Sequence, residues 1–136
     1  MSYVKVTDEN GSPINLSNAF PVQLTGSIVS STNYLQNMTI TPGSSIGIGD
    51  KDFKGARLGI GVRLLATKKF KVVVTPKNSN GATAMGSETI IDQSGTAADR
   101  IIVSYQLKSV RNDVSIQNVD TSDITVTVLT ITDFIV

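Results

Sequence analysis

The sequence contains no histidine, no cysteine and no tryptophan. Without histidine, the chain lacks the usual general base of enzymes, the serine–histidine–aspartate arrangement and the commonest zinc ligand. Without cysteine, it has no disulfide, no thiol nucleophile and no thiolate metal site. We therefore expect neither a cofactor nor an enzyme activity, with carboxylates as the remaining acid–base groups.

Charge is also scarce, because only 17% of the residues are charged, against about a quarter in a typical domain. The net charge of +1 gives no basic footprint for nucleic acid. No apolar run approaches the roughly 18 residues of a membrane span, and the first residues lack the apolar core of a signal peptide. We expect no nucleic-acid partner, no membrane partner, and folding where the chain is made.

In place of charge, the chain has 15 serines and 15 threonines, which suit strands that face water or other subunits. Short stretches rich in valine, isoleucine and threonine recur, and helical periodicity is absent. Eight strands are predicted at residues 38–41, 46–49, 57–65, 70–75, 88–91, 101–107, 114–119 and 124–132. Eight short strands in one domain predict an all-β fold, a two-sheet sandwich of the jelly-roll type.

Local spacing predicts two pairings between strands that follow each other in the chain. Three alternating stretches separated by turn residues predict an antiparallel meander: residues 101–107, 114–119 and 124–128. Residues 57–65 and 70–75, with two lysines between them, predict a hairpin. In 57–65 the glycines Gly59 and Gly61 fall on the face opposite the apolar residues, where another group can approach closely.

Residues 1–27 differ from the rest of the chain. Dense turn chemistry at 8–13 is followed by apolar residues that alternate with polar ones but are too few for a core: Ile14, Leu16, Phe20, Val22 and Leu24. Such a segment packs on something else, either as an edge strand of its own domain or as an arm on a neighbour. We divide the chain into an N-terminal anchoring arm at 1–27 and a β-sandwich domain at 28–136. The five apolar residues are the predicted partner-binding residues of the arm.

Two pairs of aspartates fall in predicted loops, at Asp50 and Asp52 and at Asp120 and Asp123. Calcium needs six to eight oxygen ligands, and neither pair has EF-hand spacing. Aspartates in turns commonly bond to their own backbone, so no metal site is predicted. A small carboxylate-based glycan hydrolase is the enzyme alternative, and its candidate residues would be Asp50, Asp52, Asp92, Asp99, Asp120 and Asp123.

The stretch VTDENGSP at 6–13, followed by FPVQLTGS at 20–27, resembles the N-terminal segment of structural proteins from tailed bacteriophages. In those proteins a D-E-N-G-x-P … P-V-Q-L-T-G-S segment precedes a β-rich domain. The resemblance implies a virion protein made in the host cytoplasm, either a capsid decoration protein or a minor head protein. It also implies other virion proteins as partners, namely the major capsid protein or tail subunits, and a homo-oligomer, preferably a trimer. The absence of heptads and repeats favours a capsid-bound knob over a long fibre.

Two alternatives stay open. A tail adsorption or receptor-binding protein would contact the host surface through loops at 76–81 and 92–100. The apolar C-terminal residues Phe134, Ile135 and Val136 are either buried in an assembly or packed against their own sandwich.

Overall fold

The computed structural model describes residues 28–83 and 85–135, and these residues form ten β-strands and no helix. The strands are β1 (Ile28–Tyr34), β2 (Met38–Ile40), β3 (Ser45–Gly47), β4 (Lys51–Asp52), β5 (Arg57–Lys68), β6 (Phe70–Lys77), β7 (Glu88–Asp92), β8 (Ala98–Gln106), β9 (Arg111–Asn118) and β10 (Ile124–Phe134). Within the described residues, no helix could therefore cross a membrane. All eight predicted strands are present, with ends that differ by a few residues.

The ten strands form two antiparallel sheets. The first sheet has the order β1-β10-β5-β8, and β2 continues the edge of β1 along β10. The second has the order β3-β9-β6-β7, and β4 continues the edge of β3 along β9. With β1 and β2 counted as one interrupted strand, and β3 and β4 as another, the strand positions run 1-8-3-6 and 2-7-4-5. This is the jelly-roll order, so the predicted fold class is confirmed.

The predicted hairpin between residues 57–65 and 70–75 is wrong, because β5 and β6 lie in different sheets. β5 pairs with β8 and β10, whereas β6 pairs with β7 and β9. The chain crosses between the sheets at Lys69. The Lys69 N–H donates to the Asp120 carboxylate (2.9 Å), and its carbonyl accepts from the Val119 N–H (3.2 Å). The loop after β9 therefore forms backbone hydrogen bonds with the chain at the point where it crosses between the sheets.

The predicted meander is wrong for the same reason. β8 and β10 lie in the first sheet and β9 lies in the second, so the last three strands alternate between the layers. Alternation of apolar and polar residues shows that one face of a strand is buried but not which strand lies beside it. The loops at 107–110 and 119–123 are long enough to cross the roughly 10 Å between packed sheets.

The hydrophobic core lies between the two sheets and is built from the inward faces of the long strands. β6 and β9 alternate regularly between buried and more exposed positions, and β5 and β10 do so over most of their length. Its largest fully buried side chains are Phe70, Ile40, Leu58, Ile60, Ile116, Ile124, Leu129 and Ile131. Burial of each such side chain contributes about 1.5–3 kcal/mol, which makes this layer the main source of stability.

A β-bulge in β10 changes which residues face the core. Val126 pairs with Leu64, but the next pair is Val128 with Arg63, so the register shifts between them. Val126 and Leu129 are buried, whereas Val128 is only partly buried. The sequence alternation predicts Val128 on the buried face, and this prediction is wrong because the extra residue reverses the phase.

The structure also contains two strands that the sequence pattern does not predict. β1 is exposed along almost its whole length, so it lacks the apolar alternation from which strands are recognised. β4 is only two residues long. Leu35 and Asn37 have positive φ angles of 50° and 53°, and this local turn separates β1 from β2. The Asn37 N–H nevertheless bonds to the Thr127 carbonyl (3.1 Å), which keeps both strands on the same edge of β10.

Candidate functional site

The five predicted partner-binding residues Ile14, Leu16, Phe20, Val22 and Leu24 lie outside the described residues. The first described residue, Ile28, begins strand β1 at one edge of the first sheet. The 27 residues before it therefore join the sandwich at a sheet edge. The surfaces that surround this junction are the first candidates for contacts with other proteins.

Among the described residues, strand β1 is an edge strand with an open side. Within the described part of the chain it pairs with β10 and with no other strand. Two side-chain hydrogen bonds hold it to β10, between the hydroxyls of Ser31 and Thr132 (3.1 Å) and from the Thr130 hydroxyl to Asn33 Oδ1 (2.9 Å). Its other side offers backbone N–H and C=O groups that could pair with an added strand.

One end of the sandwich, which we call the apolar end, carries four exposed apolar side chains. It is formed by the loops at 53–56, 78–87 and 107–110 together with the ends of β1 and β10. Backbone bonds from Phe53 N–H to the Val110 carbonyl (2.7 Å) and from Ala56 N–H to the Phe134 carbonyl (2.7 Å) tie these pieces together. The exposed side chains are those of Ile28, Met85, Val110 and Ile135.

Of the described C-terminal residues, Phe134 packs on its own sandwich and Ile135 does not. Phe134 is partly buried and lies over Gly59, where an added Cβ would be 3.1 Å from its ring. The predicted close approach at this glycine is thus made by the chain's own C-terminal strand. Ile135 is 54% exposed and belongs to the apolar end. Val136 lies outside the described residues.

A shallow cleft of about 420 Å³ opens beside the apolar end, and it contains a closed polar cluster. Lys108 Nζ donates to both carboxylate oxygens of Glu88 (2.6 Å each), and the Tyr105 hydroxyl donates to Glu88 Oε2 (3.3 Å). The bond from Lys108 is the main cause that lowers the pKa of Glu88. Burial and the neighbouring Glu88 carboxylate raise the pKa of Tyr105 to about 12. The Glu88 carboxylate is paired with Lys108 and has a lowered pKa, so it is a weaker base than a free carboxylate.

The six aspartates proposed for hydrolysis do not converge. Asp50 lies 4.0 Å from Lys77 Nζ and 4.0 Å from Arg111 Nε on the side of the apolar end, and Asp52 is near it in β4. Asp92, Asp99, Asp120 and Asp123 belong to loops and strand ends at the opposite end of the sandwich.

The chemistry of two of these aspartates is also unsuited to acid catalysis. Hydrogen bonds from Ser94 lower the pKa of Asp92, and the backbone N–H of Lys69 is the main cause that lowers the pKa of Asp120 to about 2. A glycosidase acid needs a raised pKa instead. The described residues also contain no group of three acidic side chains placed to hold a metal ion.

The two loops considered for receptor binding lie at opposite ends of the sandwich. Residues 76–81 include the last two residues of β6 and a turn in which Asn78 Oδ1 accepts the N–H groups of Asn80 (2.9 Å) and Ala82 (3.0 Å). Residues 92–100 join β7 to β8 and include the first three residues of β8. They do not form one continuous surface.

The outward face of β5 and β8 carries a further cluster, which the sequence analysis missed. Arg63 pairs directly with Arg100 across the two strands, Ile102 is exposed beside them on β8, and Leu65 is exposed just after Arg63, where the register with β8 shifts. We call these four residues the arginine patch. The sequence shows part of this cluster, because Leu65 and Ile102 are apolar residues next to core-facing apolar residues, where the alternation predicts polar ones. It does not show that the two arginines face each other, because that depends on strand pairing.

No family model and no curated protein sequence matches the chain. Among solved structures, the chain is similar to the VP2 subviral particle of infectious bursal disease virus, with 10% identity, a TM-score of 0.48, and coverage of 99% of this chain and 37% of VP2. Similarity to the T13 viral particle of the same virus has 9% identity, a TM-score of 0.46, and coverage of 98% and 36%.

The chain is also similar to the Clostridium thermocellum xylanase 10B CBM22-1–GH10 modules, with 15% identity, a TM-score of 0.47, and coverage of 79% and 28%. The chain spans little more than a third, or less, of the length of these three proteins. At such identities and scores, the similarities assign no function.

Proposed function

We propose that this protein is a structural component of a tailed-bacteriophage virion, a capsid decoration or minor head protein. It binds the assembled particle through residues 1–27. The observation that carries the proposal is the N-terminal segment at 6–27, which resembles that of phage structural proteins and leads directly into an open edge strand. Its site of action is the virion, and its partners are other virion proteins.

The sandwich supports the proposed separation between an anchoring arm at 1–27 and a β-sandwich that folds without it. Strands within 28–134 fill all eight positions of the jelly roll, so residues 1–27 are not needed to complete either sheet. Ordering about 27 residues costs roughly 1–2 kcal/mol each, which scattered apolar residues do not repay alone. An arm that adds a strand to a sheet edge of a neighbouring subunit gains main-chain hydrogen bonds, while Val22 and Leu24 fill alternate pockets.

We further propose that the protein acts as a homo-oligomer, with a trimer preferred because phage decoration proteins often occupy local three-fold axes. The exposed apolar side chains of the apolar end, including Ile28 at 62% and Val110 at 66% exposure, are the surface that such an assembly would cover. The purified protein should therefore scatter light as a particle heavier than a single 14.4 kDa chain.

The proposal is tested by locating the protein in intact particles. A labelled protein should be found by electron microscopy on the head of the virion, at regular positions on the capsid surface. Label confined to the tail would instead support the adsorption-protein alternative. Label absent from particles and present only in the infected-cell cytosol would overturn the proposal.

A further inference from the structure

The arginine patch places two like charges directly opposite each other. Arg63 in β5 and Arg100 in β8 form a cross-strand pair, and both are exposed on the outward face of the first sheet. Like charges in this position destabilise a sheet. In residues 28–83 and 85–135 the ion pairs are Lys77–Asp50, Lys108–Glu88 and Arg111–Asp50, so neither arginine of the patch forms an ion pair with a carboxylate there.

The same patch exposes apolar surface. Ile102 is 77% exposed beside Gly61, and Leu65 is 76% exposed two residues after Arg63, where the pairing of β5 with β8 shifts register. No other large apolar side chain in the described part of the chain is as exposed as these two. An isolated sandwich gains nothing from this arrangement, whereas a partner with carboxylates and apolar side chains would relieve both costs.

Residues 1–27 have the complementary chemistry. Their two acidic residues, Asp8 and Glu9, are adjacent, and Val4 and Val6 lie a few residues before them. Carboxylates and guanidinium groups form the strongest side-chain hydrogen bonds, often in bidentate pairs. The 18 residues between Glu9 and Ile28 can extend to about 60 Å, which is enough to reach the sheet of an adjacent copy.

We propose that the arginine patch of one copy binds the segment around Asp8 and Glu9 of a second copy. The two carboxylates pair with Arg63 and Arg100, and the valines of that segment cover Leu65 and Ile102. This inference rests on the proposed role of residues 1–27 as an arm that contacts neighbours. It separates two functions within the arm, because the apolar residues from Ile14 to Leu24 contact the particle and the acidic pair joins copies to each other.

A charge exchange in the full-length protein tests the inference. Self-association is measured by sedimentation velocity at low and at high salt for the wild-type chain, for Arg63→Glu with Arg100→Glu, for Asp8→Lys with Glu9→Lys, and for all four changes together. Each reversed pair should weaken self-association at least tenfold, and the fourfold variant should recover wild-type association to within about threefold. Association of the wild-type chain should weaken as salt rises, because exposed charges are screened.

Lys51→Glu with Arg57→Glu is the matched control, because it reverses two exposed basic residues outside the patch. It should associate like the wild-type chain. Melting curves of every variant should agree closely, since substitutions on exposed positions change stability by about 0.5 kcal/mol or less.

Three results would overturn the inference: a wild-type chain that stays monomeric, patch variants that associate normally, or a fourfold variant that shows no recovery. Within the first result, a wild-type monomer that is compact and becomes extended in the charge-reversed variants would place the arm on its own patch. The same variants are assayed for particle binding. Normal self-association of patch variants, with loss of particle binding on deletion of residues 1–27, would refute this inference and leave the proposed function standing. Particle binding that survives the deletion would refute the proposed anchoring role.

Discussion

Gly55 is held against the buried side chain of Asp133. The Asp133 carboxylate, at the end of β10, accepts the backbone N–H of Gly55 through Oδ1 (2.9 Å) and that of Lys54 through Oδ2 (2.8 Å). Asp133 is only 2% exposed, so these two bonds replace the water that the carboxylate loses on folding. A Cβ at position 55 would collide with the Phe134 carbonyl oxygen and with Asp133 Oδ1.

Replacing Gly55 with alanine should destabilise the sandwich by about 3 kcal/mol, in the upper range for overpacking, because the obstacle is backbone and a buried carboxylate. Gly95→Ala is the matched control, since a Cβ there meets no atom within 4 Å. Its effect should stay within about 0.5 kcal/mol. Urea unfolding of both variants gives the free energies of unfolding. Equal stabilities would show that the packing around Gly55 is not as tight as described.

Asn118 joins the two sheets through its side chain. Its Nδ2 donates to the carbonyls of Ile40 (2.8 Å) and Ser122 (2.9 Å), and its Oδ1 accepts the N–H of Asp120 (2.8 Å). Asn118→Ala would leave these groups without partners, at about 1–3 kcal/mol for each one that stays buried. We expect the free energy of unfolding to fall by roughly 3 kcal/mol, within that range. Thermal or urea unfolding measures this change.

Asn118→Asp sharpens the test, because it keeps the shape but turns an oxygen toward two carbonyls. It should be at least as destabilising as the alanine variant at neutral pH. Gln117→Ala, one residue earlier on the outward face, should have little effect. An Asn118→Asp variant as stable as the wild-type chain would contradict the assigned amide orientation.

Asp120 predicts a pH-dependent contribution to stability. The N–H groups of Lys69 and Ser122 bond to its carboxylate, and its pKa falls from the ordinary 3.8 to about 2. Because the folded pKa is the lower one, the contribution is fully present above about pH 4 and is lost as the pH falls toward 2. The melting temperatures of the wild-type chain and Asp120→Asn should therefore differ at pH 6 and converge near pH 2. A difference that is constant across this range would refute the assignment.

The sequence predicted the long strands that have one buried face and missed β1 and β4, which have none. Residues 57–65 alternate cleanly because β5 lies in the middle of its sheet, with the core on one side. β1 has no such pattern, because its side chains are exposed on both faces at the sheet edge. Its strand character comes from backbone pairing with β10, which leaves no periodic mark on the residue types.

Strand order could not be predicted from the sequence, for a related reason. The hairpin and meander predictions assumed that neighbours in the chain pair with each other, and the jelly roll instead sends most successive strands to alternate sheets, with β6 and β7 as an adjacent pair in one sheet. The bulge that turns Val128 away from the core arises from that pairing and not from the local residues. The facing of Arg63 and Arg100 likewise depends on which strands are adjacent. The assignments of Ile14, Leu16, Phe20, Val22 and Leu24 to partner binding stay predictions.

A double substitution in the arm should separate anchoring from folding. Val22→Asp with Leu24→Asp places charge where the added strand would fill apolar pockets, and should abolish incorporation into particles with little change in melting temperature. Gln23→Asp with Thr25→Asp adds the same charge at the alternate positions of an extended segment. This control should retain most of the incorporation. Equal incorporation of the two variants would show that these apolar side chains do not anchor the protein.

The central claim is tested most directly by the binding of residues 28–136 to particles that lack the protein. Cosedimentation is measured for this shortened chain and for the full-length chain, with a melting curve recorded for each. We predict that the shortened chain melts cooperatively, because its strands complete the jelly roll, and that it does not cosediment, whereas the full-length chain does. A folded shortened chain that binds particles as well as the full-length chain would contradict the account. A shortened chain that does not fold would also contradict it, because residues 1–27 would then be part of the sandwich.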